Sequence, residues 1–225
     1  VDVMRGGPST GQPTMPGQQD IMQAKWGSHG DYEIIALSPS SVQEMFTLTV
    51  EAFNLSETYR VPTMLMADEV VGHMWERVVI PEGEDIRILN RKKPNVSREE
   101  YLPFMPSDDL VPPMACFGDG FSFHATGLTH DERGYPQTTN SEVQTKLVTR
   151  LCDKIRKNAD KITKVQDVML DDADVVVFAY GIVARAALSA VRQARKEGIK
   201  AGLMRPITLW PFPESLVARV AENAD

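Results

Sequence analysis

Two short apolar runs, residues 32–37 (YEIIAL) and 63–67 (TMLMA), flank a stretch whose apolar residues recur at helical spacing. That alternation constrains the fold more than any other feature of the chain. Strand, helix and strand in this order read as a right-handed parallel crossover. Ser41 and Glu44 stand three apart just after Ser38-Pro39-Ser40, the spacing of a capping box, so the helix starts there. Val42, Met45, Phe46, Thr49, Ala52, Phe53 and Ser56 form its predicted buried face, with Glu51 and Glu57 in water, and it ends near Arg60 ahead of Pro62.

A second unit of the same kind lies near the other end. Residues 174–180 (DVVVFAY) read as a strand, Gly181 as a turn, and residues 182–196 as a helix burying Val183, Ala186, Ala187, Ala190 and Ala194. Residues 199–204 form the next strand, stopped by Arg205-Pro206, and a last helix is expected over 213–223. Two such units predict an α/β fold with parallel sheets. Ahead of them, residues 18–26 read as a short helix and Val1 to Met4 as a strand ending, expected to belong to a sheet begun upstream.

Between the units the pattern dissolves. From about 82 to 136 the chain carries Arg91-Lys92-Lys93, prolines at 94, 103, 106, 112, 113 and 136, and glycines around Phe117 and Phe121. So long a segment without periodicity is uncommon inside a domain, and it is expected to wrap a neighbouring domain or subunit. Residues 140–162 then predict one long amphipathic helix through Val143, Leu147, Leu151, Ile155 and Ile162.

Composition narrows the function classes. With 225 residues, 42% hydrophobic and 24% charged, the chain suits one large or two small soluble domains. A formal net charge of -7 argues against a nucleic-acid platform, which needs clustered Lys and Arg in excess. Cys116 and Cys152 fit no metal or redox spacing and are expected to be buried free thiols, which suits a cytoplasmic protein. No apolar run reaches the roughly 18 residues of a membrane span, and no signal sequence leads the chain.

The chemistry concentrates in RGGPSTGQP, residues 5–13. Glycines let backbone N–H groups approach a ligand, Ser9 and Thr10 offer hydroxyls, and Arg5 carries a planar fork matched to carboxylate or phosphate. The same residues also suit a tight surface turn. The loop fits neither the Walker pattern nor GxGxxG. His29, between the first helix and the strand after it, is a candidate ligand donor or a local hydrogen-bonding residue. His73 carries a weaker signal, and His130 falls in a polar cluster with Asp131, Glu132 and Arg133 that reads as a self-capped turn. No histidine pair has metal spacing, so no metal is expected on this chain. Neither a GxSxG elbow nor a Cys-centred nucleophile motif occurs, which leaves an anion loop without a base and points to chemistry carried by a cofactor or another chain.

RGGPSTGQPT, QQDIMQAKWGSHGDY, SPSSVQEM, HDERGYP, VVVFAYG and GLMRPITLWPFP together resemble the alpha subunit of the 2-oxoacid:ferredoxin oxidoreductases, along nearly the whole chain. The opening loop and RPITLWPFP are the specific parts. The resemblance implies coenzyme A-dependent oxidative decarboxylation of a 2-oxo acid, with thiamine diphosphate and Mg2+ shared with a beta subunit, a [4Fe-4S] cluster on that partner, and ferredoxin as electron acceptor. Gamma and delta subunits are further partners in such enzymes. It implies that residues 1–82 are the second half of the pyrimidine-side thiamine diphosphate domain, 83–170 an extended connector and long helix, and 171–225 a transketolase C-terminal-like domain, in whole or in part. Arg5 is expected to pair with the substrate carboxylate, with Gly6, Gly7, Ser9 and Thr10 lining the same pocket. The family's upstream YPITPS-type motif and the glutamate that activates the aminopyrimidine are absent, so the 225 residues are expected to be part of a longer subunit, and no catalytic residue is assigned here. Within the family, RGGPSTG with GSHGDYEIIALSPSSVQEM looks most like the 2-oxoglutarate branch. Branched-chain 2-oxo acid (2-oxoisovalerate) enzymes, a phosphate- or nucleotide-binding α/β protein and a noncatalytic scaffold are the alternatives.

Overall fold

Strand β1 (Asp2–Met4) opens a computed structural model that describes residues 1–222, and the glycine loop follows it directly. Next come α1 (Asp20–Trp26), β2 (Ile35–Leu37), α2 (Val42–Tyr59), β3 (Thr63–Asp68) and the short α3 (Glu69–His73). β3 lies between β1 and β2 and runs parallel to both, with Met4 opposite Asp68 and Leu37 opposite Leu65. The predicted crossover through α2 is therefore present, and all three strands end on the same side of the sheet. Their side chains alternate as a twice-faced strand must: Ile35, Leu37 and Leu65 enter one core, Met4, Ala36 and Met66 the other. Each fully buried side chain of this size contributes roughly 1.5–3 kcal/mol.

The buried stripe of α2 differs from the predicted one. Met45, Leu48, Ala52, Leu55 and Tyr59 face the core, while Phe53 is 70% exposed. The helix carries apolar residues on two sides, and periodicity alone could not choose between them.

After a single 3-10 turn at Gly83–Asp85 the connector runs to α4 (Ser141–Arg156), which a break at Lys157 and Asn158 separates from α5 (Ala159–Ile162). The single helix expected over 140–162 is thus two, and Leu151 lies at its exposed edge while Cys152 and Ile155 are buried. The connector is not wholly outside the core either. Val111 packs with Leu55 and Ile155, and Tyr101 and Ala115 are buried.

The second sheet contains β4 (Val165–Val168), β5 (Val175–Phe178) and, after α6 (Gly181–Lys196), β6 (Ala201–Pro206). β6 is central, parallel to β5 and antiparallel to β4. In α6 the residues packed on this sheet are Ala184, Ala187, Leu188, Val191 and Ala194, so Val183, Ala186 and Ala190, expected inside, point outward. The chain then enters β7 (Thr208–Trp210), which leaves the second sheet and pairs antiparallel with β2 in the first. α7 (Glu214–Ala221) follows, and the expected helix end at Asn223 lies outside the described residues. β4 and β7 went unpredicted, and each adds one antiparallel edge to a parallel arrangement. Among the described residues no helix is long and apolar enough to cross a membrane.

Candidate functional site

Parallel strands place their carboxyl ends together, and ligands of open α/β sheets bind there. At this end the chain sets Arg5 after β1, Ser38 to Ser40 after β2, and Asp68 with Glu69 at the end of β3. The turn into α6 arrives from the second sheet and meets the same place, because Asp68 Oδ2 accepts a 2.7 Å hydrogen bond from the Ile182 N–H.

The glycine loop is closed on itself. The Gly6 N–H donates to Met15 O at 2.8 Å, Gln12 N–H donates to Gly6 O at 2.8 Å, and Met15 N–H donates to Gln12 O at 3.1 Å. Gly11 is required by this fold of the loop: its φ is +43°, and a Cβ there would stand 2.5 Å from Gly6 O. Closure pushes Gly7, Ser9 and Thr10 to an exposed tip. Arg5 is half-buried at the base, where Nη1 donates to Gly6 O at 2.8 Å, and its other N–H groups have no protein partner among the described residues. His29 lies apart from this group. α1 carries the chain back from the loop, so exposed His29 leads into the amino end of β2 rather than its carboxyl end.

Gln18 ends the loop and anchors it. Its Nε2 donates to Asp68 Oδ1 at 2.9 Å and to Tyr180 O at 3.3 Å, while Tyr180 Oη donates to Gln18 O at 3.2 Å. Asp68 is fully buried; burial pushes its carboxyl up from the ordinary value, against the opposing pull of the Ile182 N–H and the Gln18 amide. Gly181 makes this junction fit, since its φ is +55° and a Cβ would overlap Asp68 Oδ2. Sequence reasoning missed this node. The available signal was an acidic residue directly after the buried run MLMA, at a strand's carboxyl end.

A second polar node stands at the start of α2. Ser41 Oγ accepts from Glu44 N–H at 3.1 Å, as the capping-box spacing predicts. The Glu44 carboxylate turns elsewhere: it takes the Ser40 N–H at 2.7 Å and both ends of the buried Arg205 guanidinium, Nη1 at 2.9 Å and Nη2 closer still. Burial alone would push Glu44 up, but Arg205 and Ser40 outweigh it and hold the carboxyl below the ordinary value. Val42 N–H is met by Glu76 Oε2 at 2.9 Å, and Glu76 is held by Arg185 of α6 at 2.5 Å.

These contacts explain RPITLWPFP. Arg205 reaches Glu44, Thr208 Oγ1 donates to Ile162 O and accepts from Lys164 N–H, both at 3.0 Å, and Trp210 Nε1 donates to Ile21 O at 2.8 Å. Each polar side chain of the segment ties β6 or β7 to another element. Cys152 is buried as expected, but Cys116 is only half-buried, and both are free thiols. His73 is largely exposed and paired with buried Glu69. Among the described residues no group of three His, Cys, Asp or Glu is arranged to hold a metal ion. Chemically, the carboxyl end offers an anion a guanidinium with free N–H groups and two exposed hydroxyls, without a nucleophile and base in contact.

Two family models match the chain: pyruvate flavodoxin/ferredoxin oxidoreductase, thiamine diphosphate-binding, over residues 1–150, and pyruvate:ferredoxin oxidoreductase core domain II over residues 173–225. Among curated proteins, the 2-oxoglutarate synthase subunit KorA of Methanothermobacter thermautotrophicus is 54% identical over 224 residues, covering 100% of this chain and 59% of its own length. The ketoisovalerate oxidoreductase subunit VorB of Methanothermobacter marburgensis is 36% identical, over 99% of this chain and 55% of its own. Among solved structures, the 2-oxoglutarate:ferredoxin oxidoreductase of Magnetococcus marinus with 2-oxoglutarate, coenzyme A and succinyl-CoA bound superposes with a TM-score of 0.90 at 29% identity, covering 100% of this chain and 39% of that one. The chain thus spans little more than half the length of the curated relatives it matches. With one family model over two thirds of its residues and a relative above half identity along its whole length, the chain belongs to the pyruvate flavodoxin/ferredoxin oxidoreductases, in their thiamine diphosphate-binding family.

Proposed function

We propose that this chain is part of the alpha subunit of a 2-oxoglutarate:ferredoxin oxidoreductase, which converts 2-oxoglutarate and coenzyme A to succinyl-CoA and CO2 while two electrons pass to ferredoxin. The observation that carries this reading is the identity gradient: 54% to a 2-oxoglutarate synthase subunit against 36% to a ketoisovalerate oxidoreductase subunit, both along essentially the whole chain. Arg5 binds the substrate carboxylate that leaves as CO2, making two parallel hydrogen bonds from the N–H groups that no protein atom occupies. Gly6, Gly7, Ser9 and Thr10 belong to the same loop wall, where the exposed Ser9 and Thr10 hydroxyls offer the substrate further donors. Thiamine diphosphate, held with Mg2+ and completed by the beta subunit, supplies when bound the electron sink for decarboxylation. The donors at this carboxyl end are cationic and hydroxylic, which fits the substrate side of such a site. A [4Fe-4S] cluster on the partner, ferredoxin outside it and a cytoplasmic location complete the proposal, and His29 is assigned at most a contact at the far rim.

The test is a panel of 2-oxo acids given to the full-length subunit assembled with its partners, with coenzyme A and a viologen dye or ferredoxin as acceptor. Turnover on 2-oxoglutarate is expected to exceed that on 2-oxoisovalerate and pyruvate by at least tenfold in kcat/KM. A preference for 2-oxoisovalerate would establish the branched-chain reading instead. No turnover with any 2-oxo acid would remove the proposal altogether.

A further inference from the structure

A cavity of about 510 Å3 lies between the connector and α4 and shares no lining residue with the glycine loop. Phe104, Pro106, Leu110, Val143 and Leu147 give it an apolar wall, and Arg150 and His130 stand in the same lining. Its volume is that of a small-molecule site, where apolar walls and a few polar groups set the ligand.

The charge balance around it is uneven. Arg150 is half-buried and has neither a hydrogen bond nor an ion pair among the described residues. Behind it, Lys154 is 2% exposed, and its Nζ donates only to Arg60 O, at 2.8 Å. Arg60 in turn donates to Pro103 O at 2.6 Å and lies 5.0 Å over the Phe104 ring. Three cations therefore converge with backbone carbonyls and a ring for company, and no carboxylate is bonded to any of them. The acids in the wall are engaged elsewhere: Asp131 with Arg133, Glu132 with Lys146, and Asp153 with Lys157, while Glu142 is exposed. Burial pushes Lys154 down to about 8, helped by Arg150 and Arg60; burial and then Arg60 push Arg150 down, with Glu132 opposing. His130 Nδ1 donates to Leu128 O at 2.8 Å, and its Nε2 is buried without a partner, an acceptor that a protonated ligand oxygen would meet.

One buried and two half-buried cations without a bonded carboxylate, beside an apolar wall, are costly in isolation, and an incoming anion relieves that cost. We propose that this cavity binds a small organic anion, a carboxylate or phosphate monoester on an apolar body, with its charged group on Arg150 and its body against Phe104, Leu110 and Leu147. This site is separate from the proposed 2-oxo acid site and does not depend on that reading.

Isothermal titration calorimetry on the assembled full-length enzyme tests it, with phenyl phosphate as probe and inorganic phosphate and phenol as its two halves. Phenyl phosphate is expected to bind saturably and at least tenfold more tightly than either half. Arg150→Gln and Leu147→Glu are each expected to weaken it about tenfold or more, whereas Lys161→Gln, exposed on α5 and outside the lining, stays within about twofold. Thermal melting gives an independent reading: Arg150→Met removes a charge that repels Lys154 and Arg60 and has no bonded carboxylate, so the melting temperature without ligand should rise. Absence of saturable binding overturns the proposal, as happens if an acidic segment of a partner subunit already fills the cavity. Equal binding in Arg150→Gln, equal loss in Lys161→Gln, or a lowered melting temperature in Arg150→Met also overturns it.

Discussion

Arg5 uses one of its five N–H groups on the carbonyl of its own neighbour, Gly6, and that bond holds the guanidinium at the base of the loop. An arginine held this way loses little freedom when it meets a carboxylate, because the fork is already oriented. On the proposed function, Arg5→Ala should lower kcat/KM for 2-oxoglutarate by about a hundredfold or more, through loss of a bidentate charge-assisted pair. Arg5→Lys keeps the charge without the fork and should recover part of that loss, about tenfold. Steady-state kinetics on the assembled enzyme checks both, and unchanged kcat/KM in Arg5→Ala would place the substrate elsewhere. The loop after β1 was legible in the sequence because a cation and glycines stand side by side. Asp68 was not, since its bonds run to Gln18, 50 residues away, and to Ile182, 114 residues away, and no local pattern records such a pairing.

At the scale of an element, α2 shows what local pattern can and cannot specify. Its start was legible because Ser41 and Glu44 are a spacing with a mechanism. Its buried face was legible only in part: Met45 and Ala52 pack on the core as expected, but Phe46 and Phe53 mimic the stripe that Leu48 and Leu55 occupy. The Glu44 carboxylate joins this helix to the second sheet through Arg205, whose side chain is 6% exposed. Removing the acid leaves that cation buried without a counter-charge, held only by Gln166 Oε1 and Ser38 O, so Glu44→Ala should cost about 3 kcal/mol of stability at neutral pH. Glu44 titrates below the ordinary glutamate value in the folded chain, so its contribution is present above pH 4.5 and is lost as pH falls through the folded value. Thermal unfolding of the full-length subunit should therefore show the gap between wild type and Glu44→Ala narrowing on acidification. A gap independent of pH would show that the ion pair is not what holds the helix.

Across the whole molecule, both α/β units were legible from apolar runs and helical spacing, but their joining was not. β4 and β7 are short and mixed in character, VQDV and TLW, and Pro206 read as a stop although it is the last residue of β6. The junction at Asp68 and Gly181 gives a direct test of how firmly the units are joined. Gly181→Ala introduces both a strained φ and an overlap with Asp68 Oδ2, and should cost about 2 kcal/mol or more. Gly198→Ala, at φ +86° with open space around its Cβ, carries the backbone strain alone and should cost about 1 kcal/mol. Hydrogen exchange should show faster opening at Ile182 in the first variant and not in the second; equal effects would mean that the contact with Asp68 contributes nothing. β7 carries a different consequence. It reaches back from the second family segment to hydrogen-bond with β2 inside the first, so the boundary of homology is not a boundary of folding. Exchanging either segment on its own would therefore put at risk the edge strand of the first sheet, one of its four strands.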